Sequence, residues 1–386
     1  MTGKADVLIL TSSYGGGHLQ ASRALMEGLQ ALAPDMSYAI VNFMAEVSPL
    51  ANRLVEVSYR RAVIHAPFLW RQFYHLTSRY NNPTSGWQCQ LNRLLLFWAR
   101  SLLALYQPRV VVSTFPVPAG VMGELKRRYL MSLPLVTIIT DQTVHNQWLH
   151  PATDLYLVGS EYVRRQLVYR GIEPERIAVT GIPISPAFAA RRAPLSTRSE
   201  LGLDPHLPVV LVMTGAEGML PQAPKLCRHL ACLPSPRQVV VISGRNTSLR
   251  TKVKAEVDGC PWPVLVLGFV NNVEAWMAAA DVLVGKAGGL STSEALAREL
   301  PMVIIRPIPG QEEANTRFLT RAGAARRARD VHEAVAMTEE ILQDPEIARA
   351  MRRSAAGIAR PSAAYEAAAM VLALSKESYG STLVAN

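Results

Sequence analysis

Apolar positions along this chain follow two alternating patterns. Short runs of aliphatic and β-branched residues are separated by longer stretches in which apolar residues recur every three or four positions. That alternation predicts parallel sheets joined by crossover helices, an α/β fold. In the first half the strand pattern is met at Val7–Thr11, Tyr38–Phe43, Arg109–Thr114, Leu135–Thr140, Leu155–Val158 and Ile177–Thr180. In the second half it is met at Val209–Met213, Gln238–Ser243, Val264–Leu267, Val282–Val284 and Met302–Ile305. Helices are expected between these, near Pro221–Cys232, Ser248–Val257, Asn272–Ala280, Ser291–Leu300 and Glu312–Ala322. Gly181-Ile-Pro-Ile-Ser-Pro and the following Arg191-Arg-Ala-Pro-Leu-Ser break the periodicity and mark a linker. The expected organisation is two Rossmann-like halves, residues 1–190 and 191–360, with a helix in 361–386 packing back on the first.

Composition narrows the class. The chain has 386 residues, 49% of them hydrophobic and 18% charged, enough apolar surface for folded cores and too much for a disordered or fibrous chain. Cys89, Cys227, Cys232 and Cys260 are scattered, with no CxxC pair, so neither a disulfide scaffold nor a zinc site is expected and a reducing compartment suits them. The start of the chain lacks the features of a secretory signal, and the apolar run Leu94–Tyr106 is shorter than the ~20 residues that cross a bilayer.

The net charge of +10 is concentrated. Residues 50–130 carry eleven Lys or Arg against two acids, Glu56 and Glu124. Much of this stretch falls within roughly 65 residues that contain no strand pattern, too long for a plain connection, and an inserted helical segment at about 50–106 is expected. Its cations, among them Arg60, Arg61 and Arg71, are interleaved with aromatic residues such as Trp70, Phe97 and Trp98. Cations mixed with amphipathic rings suit an anionic membrane surface, and an anionic lipid rather than nucleic acid is the expected partner. A solvated basic face is the plainer alternative.

Polar residues that could carry chemistry cluster where strands end. After Val7–Thr11 comes Ser12-Ser-Tyr-Gly15-Gly16-Gly17-His18, in which glycines open space above a helix start and His18 is a candidate base, or else an ordinary helix-start residue. The spacing matches neither GxGxxG nor a Walker loop. After Leu135–Thr140 come Asp141, His145, Trp148 and His150; Asp141 could orient a histidine or an acceptor hydroxyl, or close an Asx turn. The histidine spacing fits no metal set. In the second half, Lys286 beside Gly288, Gly289 and Ser291 suits a diphosphate at a helix N-terminus. Glu294 could accept hydrogen bonds from a ribose, or pair with Ser291 as a capping box. The loop Pro309-Gly-Gln311-Glu312-Glu313-Ala-Asn315 is apt for sugar hydroxyls.

Taken in order, Gly-Gly-Gly-His at 15–18, Thr140-Asp141 with Trp148, Ser243-Gly-Arg245-Asn246, Gly268-Phe269-Val270-x-Asn272, Lys286-Ala-Gly288-Gly289 and Pro309-Gly-Gln-Glu-Glu-x-Asn315 resemble the monogalactosyldiacylglycerol synthases and processive diacylglycerol glucosyltransferases over nearly the whole chain. The resemblance implies a GT-B fold, two Rossmann-like domains facing across a cleft. It implies a peripheral enzyme of the cytoplasmic membrane face that moves a hexose, with inversion and without a metal or other cofactor, from UDP-galactose or UDP-glucose to diacylglycerol or a related lipid. His18 would then be the general base with Asp141 beside it, and Gly16, Gly17, His145 and Trp148 would line the acceptor site. Gly215, Ser243, Arg245, Asn246, Phe269 and Val270 would contact the donor, as would Lys286 and the backbone of Gly288, Gly289, Leu290 and Ser291. Glu294 would hold the ribose, and Gln311, Glu312 and Asn315 the sugar end. The chain departs from many bacterial relatives at Gly285 and Ala287, which leaves the hexose open. A UDP-sugar epimerase of the same architecture, or a non-enzymatic nucleotide or lipid sensor, are the alternatives.

Overall fold

A computed structural model describes residues 3–14, 16–50, 52–54, 57, 58, 68, 71, 72 and 86–383. Arg60, Arg61 and Trp70 lie outside the described residues. The chain divides into two compact units, Met1–Pro186 with Ser362–Asn386, and Ala187–Pro361.

Unit 1 is built on a six-stranded parallel sheet of β1 (Val7–Thr11), β2 (Tyr38–Asn42), β3 (Val110–Ser113), β4 (Leu135–Ile138), β5 (Leu155–Val158) and β6 (Ile177–Val179), in the order β2-β1-β3-β4-β5-β6. Its register runs from Val7 opposite Tyr38 on one side and Val110 on the other. β1, β3 and β4 are buried along their whole length, which is why they read as mostly apolar runs rather than alternating ones. Helices α1 (Gly17–Leu32), α2 (Phe43–Val47), α3 (Gly86–Tyr106), α4 (Pro116–Arg127) and α5 (Glu161–Tyr169) are the connections. One sheet face is covered by Leu25 and Leu29 of α1 together with Ala367, Ala368 and Val371 of the C-terminal helix Ala363–Leu383. The two helices lie so close that a Cβ at Gly28 would stand 2.6 Å from the Ala364 carbonyl oxygen. The other face is covered by Leu95, Ala99 and Leu102 of α3 and Val121, Met122 and Leu125 of α4.

Unit 2 repeats the plan with β7 (Val209–Met213), β8 (Gln238–Ile242), β9 (Val264–Leu267), β10 (Val282–Gly285), β11 (Met302–Ile305) and β12 (Ala325–Ala328), all parallel, in the order β12-β11-β10-β7-β8-β9. After α6 (Pro194–Glu200), its connections are α7 (Ala223–Ala231), α8 (Thr247–Glu256), α9 (Val273–Ala279), α10 (Gly289–Ala297) and α11 (Gln311–Arg321), and α12 (Val331–Gln343) and α13 (Pro345–Ile358) close the unit. The sequence pattern misses β12, Ala325-Arg-Arg-Ala, because an edge strand with two arginines has neither the β-branched residues nor the apolar run the pattern seeks.

Each sheet has one switch point, where successive connections leave in opposite directions: between β1 and β3 in unit 1, and between β7 and β10 in unit 2. Ligands of such sheets dock outside the carboxyl ends of the strands at the switch point. Gly16 and Gly17, and the glycine-rich segment 285–289, fall at these two places.

Candidate functional site

At the switch point of unit 1, α1 starts from an N-cap glycine, Gly16, with Gly17 as its first residue. The amides of its first turn, His18 among them, therefore have no helical acceptor. The half-buried His18 ring lies between Phe115, 5.1 Å away edge to face, and Trp148, 6.0 Å away. Its Nδ1 is 2.9 Å from Thr140 Oγ1. Burial pushes the imidazole down to about 4, so the ring is neutral across the physiological range. In the tautomer that carries the ring proton on Nδ1 and donates it to Thr140, Nε2 keeps a lone pair, which is what a general base requires.

Behind the ring the backbone is pinned by buried hydroxyls. Thr114 Oγ1 stands 2.9 Å from Thr11 Oγ1 and 2.8 Å from Ser22 Oγ, and Ser22 donates to the His18 carbonyl at 3.0 Å. These groups link the ends of β1 and β3 to the first turn of α1. Sequence reasoning passes over Thr114 and Phe115 and gives Thr140 no role of its own, although it stands in the Thr140-Asp141 motif; the signal for all three is their place at strand ends.

Asp141 follows Thr140 at the same edge and is half-buried. His145 and Trp148, expected to line the acceptor site, are both buried. His145 caps the short 3-10 turn Asn146–Trp148, its Nδ1 accepting from the Gln147 amide at 3.2 Å. Trp148 contributes its ring beside His18. His150 is a core group: it is buried, and a Cβ at Gly123 would sit 2.3 Å from its ring.

In unit 2 the N-cap of α10 is Gly288, so the helix starts at Gly289, two residues earlier than the sequence pattern suggests. Ser291 is consequently the third helical residue, and the capping box with Glu294 does not form. The bare amides of Gly289, Leu290 and Ser291 open at a glycine whose side has no heavy atom within 4 Å, which suits an anionic group. Glu294 is half-buried one turn further. Burial, then the negative charge of Glu274 on α9, pushes its carboxyl up to about 7.

Gly285 has a steric reason in this chain. At the end of β10 a Cβ there would come 2.5 Å from the Met213 carbonyl oxygen of β7. Gly215, past the end of β7, faces the side chain of Lys286, whose Cε would lie 3.7 Å from a Cβ at that position.

Several residues expected to touch the donor also make hydrogen bonds inside unit 2. Ser243 Oγ donates to the Leu267 carbonyl at 2.6 Å, and Asn246 caps α8 through the Leu249 amide at 2.9 Å. Asn315 Nδ2 donates to the Ala287 carbonyl at 2.9 Å, bracing the loop before α10. Glu312 uses both oxygens internally, one on Lys286 Nζ at 3.0 Å and the other on the Ile308 amide at 2.8 Å. Lys286 is thus neutralised by Glu312 before any ligand arrives. With both side chains only 8% exposed, Lys286→Met strands a buried carboxylate and is expected to destabilise unit 2 by about 3–5 kcal/mol. The double replacement with Glu312→Gln should recover most of that loss, which denaturant unfolding of the two variants measures.

Other polar groups are less fully used inside the unit. α11 starts from Gly310, at φ 100° and ψ −111°, a conformation open to glycine, and the Gln311 Oε1 behind it is buried without a hydrogen-bond partner among the described residues. A ligand hydroxyl would satisfy it. Arg245 is half exposed, 4.4 Å over the exposed ring of Phe269 and 3.1 Å from Glu217, with Val270 half-buried beside them. Among the described residues no group of three or more His, Cys, Asp or Glu side chains is placed to hold a metal ion.

Residues 18–184 match the family model of monogalactosyldiacylglycerol (MGDG) synthase, and residues 209–364 match that of the glycosyltransferase family 28 C-terminal domain. The processive diacylglycerol beta-glucosyltransferase of Bacillus cereus (strain 03BB102) is 31% identical over 356 residues, 92% of this chain and 90% of that protein. The protein of the same name from Bacillus mycoides (strain KBAB4) is 30% identical over the same shares. Among solved structures, Acinetobacter baumannii MurG superposes with a TM-score of 0.63 at 15% identity, over 95% of this chain and 99% of that one. The Neisseria meningitidis UDP-GlcNAc 2-epimerase, solved with UDP-GlcNAc, does so at 0.60 and 12%, over 98% and 100%. At these identities the likeness speaks to fold alone, and the fold is GT-B.

Proposed function

The chain belongs to the diacylglycerol glycosyltransferase family of MGDG synthases and processive glucosyltransferases, and from that premise we propose that it transfers a hexose from UDP-glucose or UDP-galactose to diacylglycerol or a related lipid, with inversion and with His18 as the base. As the acceptor oxygen forms its bond to the anomeric carbon, the bond from that carbon to the diphosphate breaks. The acceptor proton passes to Nε2 of His18, and UDP departs. The observation that carries the reading is the neutral, Thr140-anchored His18 at the switch point of unit 1. Asp141, at the same edge, would help orient the acceptor. In unit 2 the first-turn amides of α10 receive the diphosphate charge as it develops, Glu294 takes the ribose hydroxyls, Gln311 Oε1 accepts from a sugar hydroxyl, and Arg245 with Phe269 flanks the nucleotide. None of these steps calls on a metal.

The test is the purified protein on liposomes containing diacylglycerol, with each radiolabelled UDP-hexose in turn. A labelled glycolipid with inverted anomeric configuration is expected. Conversion of the UDP-sugar in the absence of lipid would place the chain with the epimerases instead, and nucleotide binding without any product would make it a sensor.

Access to such a lipid requires a membrane surface, and α3 supports one. No helix of the described residues is long and apolar enough to cross a membrane. α3 buries Leu95, Ala99 and Leu102 in the core, yet Leu94 is 70% and Phe97 72% exposed on its other side, with Leu105 and Trp98. Arg93 and Arg100 flank this apolar face, and Arg71 is exposed as well. Each large apolar side chain buried in the interface is worth about 1.5–3 kcal/mol, and each cation near an anionic surface about 1 kcal/mol. Leu94→Ser with Phe97→Ser is therefore expected to lower co-sedimentation with phosphatidylglycerol vesicles at least tenfold, by roughly that arithmetic. Raising salt should weaken the wild type only in part, because the apolar share is not screened. Equal sedimentation of the variant and the wild type would leave α3 without this role.

A further inference from the structure

We propose that Cys232 and Cys260 are a redox-active dithiol at the amino-terminal edge of the unit 2 sheet, which low-molecular-weight disulfides convert to an intrachain disulfide. The pair lies outside the site described above. Cys232 is the exposed C-cap of α7 and precedes β8; Cys260 is half-buried in the turn between α8 and β9. Although 28 positions apart in sequence, their sulfurs stand 3.2 Å from each other. A disulfide bond measures ~2.05 Å, so closure needs the sulfurs to approach by only about 1 Å more.

The approach is held by two further hydrogen bonds between the same segments. Trp262 Nε1 donates to the Leu233 carbonyl at 2.7 Å, and Arg228 Nη1 donates to the Glu256 carbonyl at 2.8 Å. These bonds keep the end of α7 against the turn whether or not the sulfurs are joined. A groove of about 650 Å³, lined by Lys254, Asp258, Cys260 and Trp262, opens on the Cys260 side of the pair. Cys227, one turn earlier on α7, is fully buried and its thiol is pushed far up by that burial, so it takes no part.

The chemistry is thiol–disulfide exchange. The thiolate of the exposed Cys232 attacks a sulfur of the small disulfide, forming a mixed disulfide and breaking the S–S bond to release one small thiolate. Burial and the adjacent Cys232 push the Cys260 thiol up, which favours Cys232 as the first nucleophile. Cys260, deprotonated, then attacks the Cys232 sulfur, forms the Cys232–Cys260 bond and releases the second small thiolate. The cysteine pair loses two electrons and two protons, and the small disulfide gains the electrons and is reduced to two thiols.

Incubation of the reduced full-length protein with oxidised glutathione, followed by alkylation, proteolysis and mass spectrometry, tests this. The expected product is a peptide pair joined through Cys232 and Cys260, free of glutathione and reversed by dithiothreitol. In Cys260→Ser the reaction should stop at glutathione bound to Cys232. The oxidised wild type should melt roughly 5 °C or more above the reduced form, because the bridge closes a loop of moderate length, and Cys232→Ser should show no such shift. A wild-type protein that keeps glutathione on Cys232, stays fully reduced or cross-links through another cysteine would overturn the proposal.

Discussion

Replacing His18 with alanine is expected to cut hexose transfer by about 10²–10⁴-fold while leaving UDP affinity at the wild-type value. The first half follows from the ring's position at the strand edge, neutral and with Nδ1 2.9 Å from Thr140 Oγ1. The second follows from its place in unit 1, whereas the nucleotide contacts proposed here all belong to unit 2. Thr140→Val removes the hydroxyl that orients the ring but not the ring itself, so a smaller loss, in kcat rather than KM, is expected from it. The pH profile supplies an independent check. Because the imidazole sits near 4 rather than 6.5, transfer limited by this group should hold level from neutrality down to about pH 5 and fall only below that. Stability should respond earlier. Between about pH 6.5 and 4 the unfolded chain binds a proton at His18 that the folded one does not, so unit 1 loses stability as the pH falls through that window. Near wild-type turnover in His18→Ala would move the base to another group at the same edge, with Asp141 next to be tested.

Glu294→Ala is expected to weaken UDP binding by roughly 10- to 100-fold, the worth of hydrogen bonds to a charged group at 1.5–3 kcal/mol. Structure adds a signature that the sequence did not contain. The ligand-free carboxyl titrates near 7 because it is buried and faces the charge of Glu274, whereas ribose hydroxyls donate best to the ionised form. UDP affinity should therefore rise between pH 6 and 8, with a proton released on binding, and calorimetry in buffers of different ionisation enthalpy would register that release. Glu294→Gln should abolish the pH dependence. Without ligand the raised carboxyl works in the opposite sense: its stabilising share is complete below about pH 4.5 and is lost as the pH rises through 7. Unchanged affinity in both variants would reduce Glu294 to a buried acid with no ligand.

Much of this molecule is legible in its sequence, and the reason is burial. Strands such as β1 and β7 lie in the middle of parallel sheets with both faces covered, so nearly their whole length is apolar, and their bounds can be read directly as Val7–Thr11 and Val209–Met213. Glycine clusters at strand ends are legible for a similar local reason, since helix starts that present bare amides need open space. The family follows from the order of these loops, and so do the neighbourhoods of His18 and Glu294.

Long-range placement decided the rest. β12 exists because Met302 pairs with Ala325, which nothing in Ala-Arg-Arg-Ala announces. The partner of His18 is Thr140, 122 residues away, chosen by the side-by-side run of strands rather than by spacing. Lys286 and Glu312 look from sequence like two independent ligand groups, yet adjacent loops bring them together as one buried ion pair. Ser243 and Asn246 likewise spend their hydrogen-bonding groups on neighbouring backbone. A sequence reveals which groups occupy a sheet edge, because burial and turn geometry act on nearby residues. Which of those groups are left for a ligand depends on contacts between distant segments, and those form only when the chain has folded.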